Sequence, residues 1–246
     1  MLFFRKRNTD PIVPAQLLAF MGTDIHSHLI PGIDDGVPDV ATAMEFIEHL
    51  QHMGIQKIVT TPHIMMDRYP NSAATIAAPY QDVVEALARK NNMISFHYAA
   101  EYYMDEEFET LLQRPLLTLS GNKVLVEISF ISPPLQLAQW LFDIQAAGYQ
   151  PVLAHPERYA YYHADIAKYE QLKKQGCLLQ LNLLSLTGYY GKHVQQAAEK
   201  LMAAGLPDLI GTDLHHEKHL HAIAGIAKNN KLRKLLDTYP FGNATL

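Results

Sequence analysis

Gly148–His155, GYQPVLAH, sets the reading of the fold. A glycine just past a helix supplies the left-handed conformation that ends it, and a short apolar run after it reads as a strand buried on both faces of a parallel sheet. The run stops at an ionisable side chain, His155. The same order recurs in GIQKIVTTPH (Gly54–His63), GCLLQLN (Gly176–Asn182) and GLPDLIGTD (Gly205–Asp213), so each is a helix-then-strand unit. Helical periodicity precedes two of them. Val40, Met44, Ile47 and Leu50 follow Asp39 as an N-cap, and Val194, Ala198, Leu201 and Met202 lead to Gly205.

Three further strand-like runs, Thr23–His28, Ile94–Glu101 and Lys123–Ile128, bring the total to seven. Their polar ends are His26, His63, Glu101, Glu127, His155, Asn182 and Asp213, recurring at intervals near the roughly 30 residues of a βα unit. Ionisable residues at the end of nearly every strand favour a (β/α) barrel over an open wound sheet, which gathers them at one switch point. No linker or composition break divides the chain. The expectation is a single α/β domain over residues 1–246 with an N-terminal extension over residues 1–22.

A chain of 246 residues with 48% hydrophobic content has ample material for such a core. Twenty Lys plus Arg against twenty-five Asp plus Glu gives a net charge of -5, and no long basic run offers the footprint of a nucleic-acid binder. The single cysteine, Cys177, excludes an internal disulfide and a thiolate zinc site and fits a reducing cytoplasm. Six residues beyond it stands Leu183, which excludes the thiolate phosphatase loop Cys-x5-Arg. At the amino terminus apolar residues precede Arg5–Arg7, the reverse of a secretory leader, and no stretch holds the roughly 20 apolar residues of a transmembrane helix.

His26 and His28 stand two apart on a strand, where period two aims both imidazoles at one face. Asp213 and His215 repeat the device. His63 and His155 each end an apolar run beside a proline, and Glu101 and Glu127 interrupt buried strands where an unpaired carboxylate would be costly. In the loop Gly32–Gly36, Asp35 follows the His-x-His pair closely enough to join it. A cation explains the set. Mixed imidazole and carboxylate donors suit manganese, iron or zinc. These nine side chains exceed what one ion can use, so roughly two or three clustered cations are expected, the usual equipment of phosphoester hydrolysis. Arg158 and Arg68 follow ligands closely and can clamp phosphate oxygens. His49, His52, His97, His163, His193, His219 and His221 lie off the strand ends and read as surface or loop residues; His216 is ambiguous.

The order His26-x-His28, Asp35, His63, Glu101, Glu127, His155, Asp213-x-His215 resembles the PHP (polymerase and histidinol phosphatase) superfamily. Within it, the stretches from Asp24 to Val37, Ala100 to Tyr103, Ala154 to Tyr159 and Gly211 to His216 look like the capsular polysaccharide tyrosine phosphatases of the CpsB type. That resemblance implies a distorted seven-stranded barrel of the PHP type and a manganese-dependent trinuclear site. It also implies a phosphotyrosine-containing partner, a bacterial tyrosine kinase controlling capsule or exopolysaccharide synthesis. Carried over by motif, His26, His28, Glu101 and Asp213 hold one ion, Glu101, Glu127 and His155 a second, and Asp35, His63 and His215 a third. The family's arginine past the final Asp-x-His is missing, with Lys218 as a substitute point charge. Histidinol phosphate phosphatase and a non-catalytic, metal-bound adaptor stay open as readings. An amidohydrolase resembles a different pattern, a lysine on the fourth strand where this chain has Glu127.

Overall fold

The computed structural model describes residues 14–246. The part of the N-terminal extension over residues 1–13 lies outside the described residues. From residue 14 the chain packs at once: Leu18 and Met21 are fully buried, and the Leu18 N–H donates to the Met53 carbonyl at 2.7 Å.

Strands and helices alternate. In chain order they are β1 (Thr23–Asp24), α1 (Val40–His52), β2 (Lys57–Thr60), β3 (His63–Ile64), α2 (Ala73–Arg89), β4 (Ser95–Tyr98), β5 (Glu101–Tyr103) and α3 (Glu106–Leu111). There follow β6 (Lys123–Glu127), α4 (Leu137–Ala146), β7 (Gln150–Ala154), α5 (Ile166–Lys174), β8 (Leu178–Asn182), α6 (Lys192–Ala203), β9 (Leu209–Gly211), α7 (Glu217–Gly225) and α8 (Asn230–Thr238). The glycines that end helices in the sequence pattern do so here. Gly54, Gly148, Gly176 and Gly205 all take positive φ, between 67° and 102°. Asp39 caps α1 by accepting from the Thr42 N–H, as its position ahead of the apolar stripe requires.

The seven expected runs resolve differently, into nine short strands in two all-parallel sheets, β1-β2-β4 and β3-β5-β6-β7-β8-β9. The run Ile94–Glu101 breaks at Ala99–Ala100, and Gly54–His63 breaks at Thr61–Pro62, where proline has no N–H for a ladder. Glu101 and His63 therefore open the second half of their strands, side by side in register. In the first run, Thr23–His28, only Thr23 and Asp24 pair as a strand, and Ser27 makes an isolated parallel bridge to Leu214.

Both faces of the sheets are buried. Leu125, Val152 and Ala154 join a small cluster with Ile25, Val59 and Leu209, while their neighbours Val124, Val126 and Leu153 join the larger core shared with the helices. Period two then puts Glu127 on the face of Leu125, and Gln180 and Asn182 on one face of β8.

Candidate metal centre

His155 follows Ala154, whose side chain already occupies the inner face, so a regular strand would turn His155 outward. It instead adopts φ 33°, and Asp213 adopts φ 51°, the left-handed region that non-glycine residues rarely enter. The His155 side chain is thereby re-aimed inward, whereas Asp213 already shares the inner face with Leu209 and Gly211. Backbone strain of this kind is held only where surroundings over-determine it. Beside them Gly211 permits a close approach: a Cβ there would lie 2.6 Å from the His26 Cβ and 2.8 Å from the Gln180 Nε2.

The His26 Nδ1 donates to the Gln180 Oε1 at 2.7 Å, which leaves its Nε2 facing the Glu101 Oε2 and the Asp213 Oδ1, both at 3.2 Å. His28 is set the same way. Its Nδ1 donates to the Asp34 Oδ2 at 2.8 Å, and its Nε2 lies 3.4 Å from the Glu101 Oε2 and 3.6 Å from the Asp213 Oδ1. The His215 Nδ1 donates to the Asp213 carbonyl at 2.8 Å, so its Nε2 faces the Asp35 Oδ1 at 3.7 Å. His63 stands between carboxylates, its Nδ1 3.2 Å from the Glu101 Oε2 and its Nε2 3.6 Å from the Asp35 Oδ1. The His155 Nε2 lies 3.1 Å from the Glu101 Oε1 and 3.4 Å from the Glu127 Oε1. All nine residues named from the sequence thus converge, with Glu101 at the centre.

Donor atoms group within 4.8 Å of one another in four overlapping sets. These are His28, Asp35, His63 and His215; His26, Glu101 and His155; His26, His28 and Asp213; and His63, Glu101 and Glu127. The donor chemistry fits divalent cations. Three imidazoles have one nitrogen tied to an oxygen acceptor, which fixes ring and tautomer and leaves the other nitrogen for a metal.

Charge is shared among these groups. Burial opposes a charge on His26 and His28, but Glu101 and Asp213 beside the first, and Asp34 beside the second, outweigh it and raise both pKa values. Burial would push Glu101 and Asp213 up, yet the surrounding imidazoles hold both well below the usual carboxylate range. His215 goes the other way. Burial, reinforced by the neighbouring His28, lowers it to about 3.

Above the cluster opens a cavity of about 610 Å³. Tyr69, Tyr103, Phe130 and Tyr190 contribute aromatic walls, and Arg158 and Arg68 both line it. Arg158 lies 4.9 Å from the Phe130 ring centre and 4.4 Å from that of Tyr190, and its Nη1 donates to the Asp213 Oδ2 at 3.0 Å. Arg68 is exposed at the rim, over the Tyr69 ring. Lys218, expected as a stand-in for the missing arginine, is exposed on α7 and is not among the residues lining the cavity. His219, read as a surface residue, is instead buried against Tyr189, Tyr190 and His215 and lines the cavity with His216. It sits on the inward side of α7, three residues after the helix cap, a position that spacing from the strand ends does not reveal.

Sequence reasoning also missed the groups that hold the donors in place. Asp34, not Asp35, is the buried partner of His28; Asn182 donates to the Asp213 Oδ2 at 2.7 Å; and buried Glu157 accepts from the Asn182 N–H at 3.0 Å and the Ser185 hydroxyl at 2.6 Å. The alternation of Gln180 and Asn182 inside a leucine-rich strand was a readable signal for two of them.

The model of the capsular polysaccharide synthesis family, CpsB/CapC, matches residues 22–231. The chain belongs to the CpsB/CapC family. Among its relatives, the tyrosine-protein phosphatase YwqE of Bacillus subtilis (strain 168) is 30% identical over 197 residues, covering 79% of this chain and 78% of YwqE. The tyrosine-protein phosphatase CpsB of Streptococcus pneumoniae is 26% identical over 200 residues, covering 78% and 82%. A solved structure from work on YwqE and CpsB, described as unique metal-dependent tyrosine phosphatases, superposes with a TM-score of 0.75 at 27% identity, over 87% of this chain and 90% of that one. The CpsB/CapC match spans every residue of the cluster, from His26 to His215. Among the described residues, no helix of this family member is long and apolar enough to cross a membrane.

Proposed function

We propose that this chain is a metal-dependent protein-tyrosine phosphatase acting in the cytoplasm on a phosphotyrosine-containing protein, a bacterial tyrosine kinase of capsule or exopolysaccharide synthesis. One observation carries the reading: nine imidazoles and carboxylates, all buried or half-buried but the exposed Asp35, meet at the floor of a cavity with aromatic walls and a fixed guanidinium. The family and its named phosphatases support it.

His26, His28, Asp35, His63, Glu101, Glu127, His155, Asp213 and His215 would hold roughly two or three divalent cations, manganese best matching the mixed nitrogen and oxygen donors, with iron or zinc as substitutes. Such ions supply Lewis acidity toward phosphoryl oxygens and lower the pKa of water toward about 7. The protein's own part is position and charge. Arg158 is pinned between two rings and Asp213, so its planar fork meets phosphoryl oxygens with little ordering left to do. Arg68 adds a second cation at the rim. Tyr103, Phe130 and Tyr190 offer faces for the aryl ring of the substrate, which favours phosphotyrosine over histidinol phosphate.

The two sheets read as one distorted seven-stranded barrel within a single domain. Backbone bonds from Thr61 N to Ser27 O at 2.7 Å, Ala99 N to Thr60 O at 2.8 Å and His28 N to Leu214 O at 2.9 Å support that reading. The last joins the two sheets, from the chain just past β1 to the chain just past β9, and the first two carry the β1-β2-β4 ladder on toward the end that holds the cluster.

Phosphotyrosine peptide and histidinol phosphate turnover, before and after chelation, tests the proposal. Peptide hydrolysis lost on chelation and restored by manganese is the expected result; faster turnover of histidinol phosphate, or peptide binding without turnover at saturating manganese, contradicts it.

A further inference from the structure

Residues 128–136 join β6 to α4, and they begin inside the cavity and end outside it. Phe130 and Ile131 line the cavity, yet Ile131 is 92% exposed, and Leu135, four residues on, is 97% exposed. Isolated exposed apolar residues are ordinary, and Met93 is one such. Here Ile131 lines the candidate active site and Leu135 follows it by four residues, so the segment carries an apolar strip along the chain away from the site.

The strip is also built to stay put. The Tyr161 hydroxyl donates to the Ser129 carbonyl at 2.6 Å, the Ile131 N–H donates to the Ser129 hydroxyl at 3.2 Å, and the Tyr159 hydroxyl accepts from the Ile128 N–H at 3.2 Å. Pro133 and Pro134 fix two further φ angles. A pre-ordered apolar ledge loses little conformational freedom when something covers it.

What covers it follows from the reaction. A phosphotyrosyl residue in the cavity is covalently continuous with its neighbours in the chain, and at about 3.3–3.6 Å per extended residue the next two or three must pass over the rim. We propose that Ile131 and Leu135 form a docking ledge for apolar side chains flanking the phosphotyrosine, so that the preferred substrate is an extended polypeptide with Leu, Ile, Val or Phe within about three residues of it. This rests on the phosphatase reading above and adds to it the class of flanking sequence.

The experiment compares p-nitrophenyl phosphate with two phosphotyrosine peptides, one flanked by leucines and one by serines, on the wild-type protein, Leu135→Ser and Ile131→Ser. The ledge predicts that wild type has a lower KM for the leucine-flanked peptide. Leu135→Ser should raise that KM about tenfold while leaving the serine-flanked peptide and p-nitrophenyl phosphate unchanged. Ile131→Ser should raise the ratio of leucine-peptide KM to serine-peptide KM. Equal KM values for both peptides on wild type, or equal effects of Leu135→Ser on both, overturn the ledge while leaving the phosphatase intact. A wild-type protein inactive on all three substrates overturns the underlying reading instead. Sedimentation of the same samples closes the remaining route: a dimer that Leu135→Ser dissociates makes the strip a self-association surface and overturns the proposal.

Discussion

The Asp34 Oδ2 lies 2.8 Å from the His28 Nδ1 and also accepts the His63 backbone N–H at 3.0 Å. One buried carboxylate thus orients two of the imidazoles, one through its ring and one through its backbone. The His28 imidazole and nearby N–H groups hold its pKa below the usual range against burial, so it stays ionised. Asp34→Asn keeps the volume and removes the charge. Metal affinity should weaken roughly 10–100-fold with the fold retained, as loss of such outer partners does elsewhere. Metal titration alongside circular dichroism checks this.

Arg158 should not tolerate lysine. Its fork contacts Asp213 while its face lies between Phe130 and Tyr190, and a point charge reproduces neither. Arg158→Lys and Arg158→Ala are both expected to lower kcat/KM for phosphotyrosine by about 100-fold with metal content unchanged. Steady-state kinetics and elemental analysis on the same preparations decide it.

Proton and metal should compete. Burial and Arg158 oppose a charge on His155, but hydrogen bonds to Glu101 and Glu127 outweigh them and lift it to about 9. In chelated protein its contribution to stability is therefore fully present below its unfolded value of about 6.5 and lost as pH rises through about 9. Metal binding needs the neutral ring and releases the proton, so affinity should rise with pH over that window. The gap in Tm between metal-loaded and chelated protein is expected to widen from pH 6.5 to 9. Calorimetry at pH 7 in buffers of different ionisation enthalpy should record net proton release.

Glu157 tests the support beneath the site. Removing it orphans the buried Asn182 N–H and the Ser185 hydroxyl, so Glu157→Ala should destabilise by about 1–3 kcal/mol or more. Glu157→Gln, which keeps an acceptor oxygen, should cost less. Thermal unfolding of the two variants compares them.

Much of this site was legible in the sequence because donors that end strands leave local marks. Glycine after a helix, an apolar run and then His155 or Asp213 is a pattern contained within nine residues or fewer. The sheet break at Pro62 was less visible, since Thr61-Pro62-His63 also reads as an ordinary strand end. The groups behind the donors left fainter marks, and even where Gln180 and Asn182 stand out in a leucine-rich strand their partners are not legible. Gln180 meets His26 across 154 residues of chain, and His219 reaches the cavity through the packing of a helix face. Asp34 and Asp35 are adjacent and alike in sequence, and the local turn decides which is buried.

On the reading proposed above, Glu101 and its neighbours would cage several cations that the phosphatase reaction needs. Metal content per chain, measured together with phosphotyrosine turnover in wild type and Glu101→Gln after manganese loading, tests it most directly. More than one ion per wild-type chain is expected, with fewer ions and activity reduced at least about 100-fold in Glu101→Gln. Full turnover in wild-type protein shown to hold no metal would contradict it.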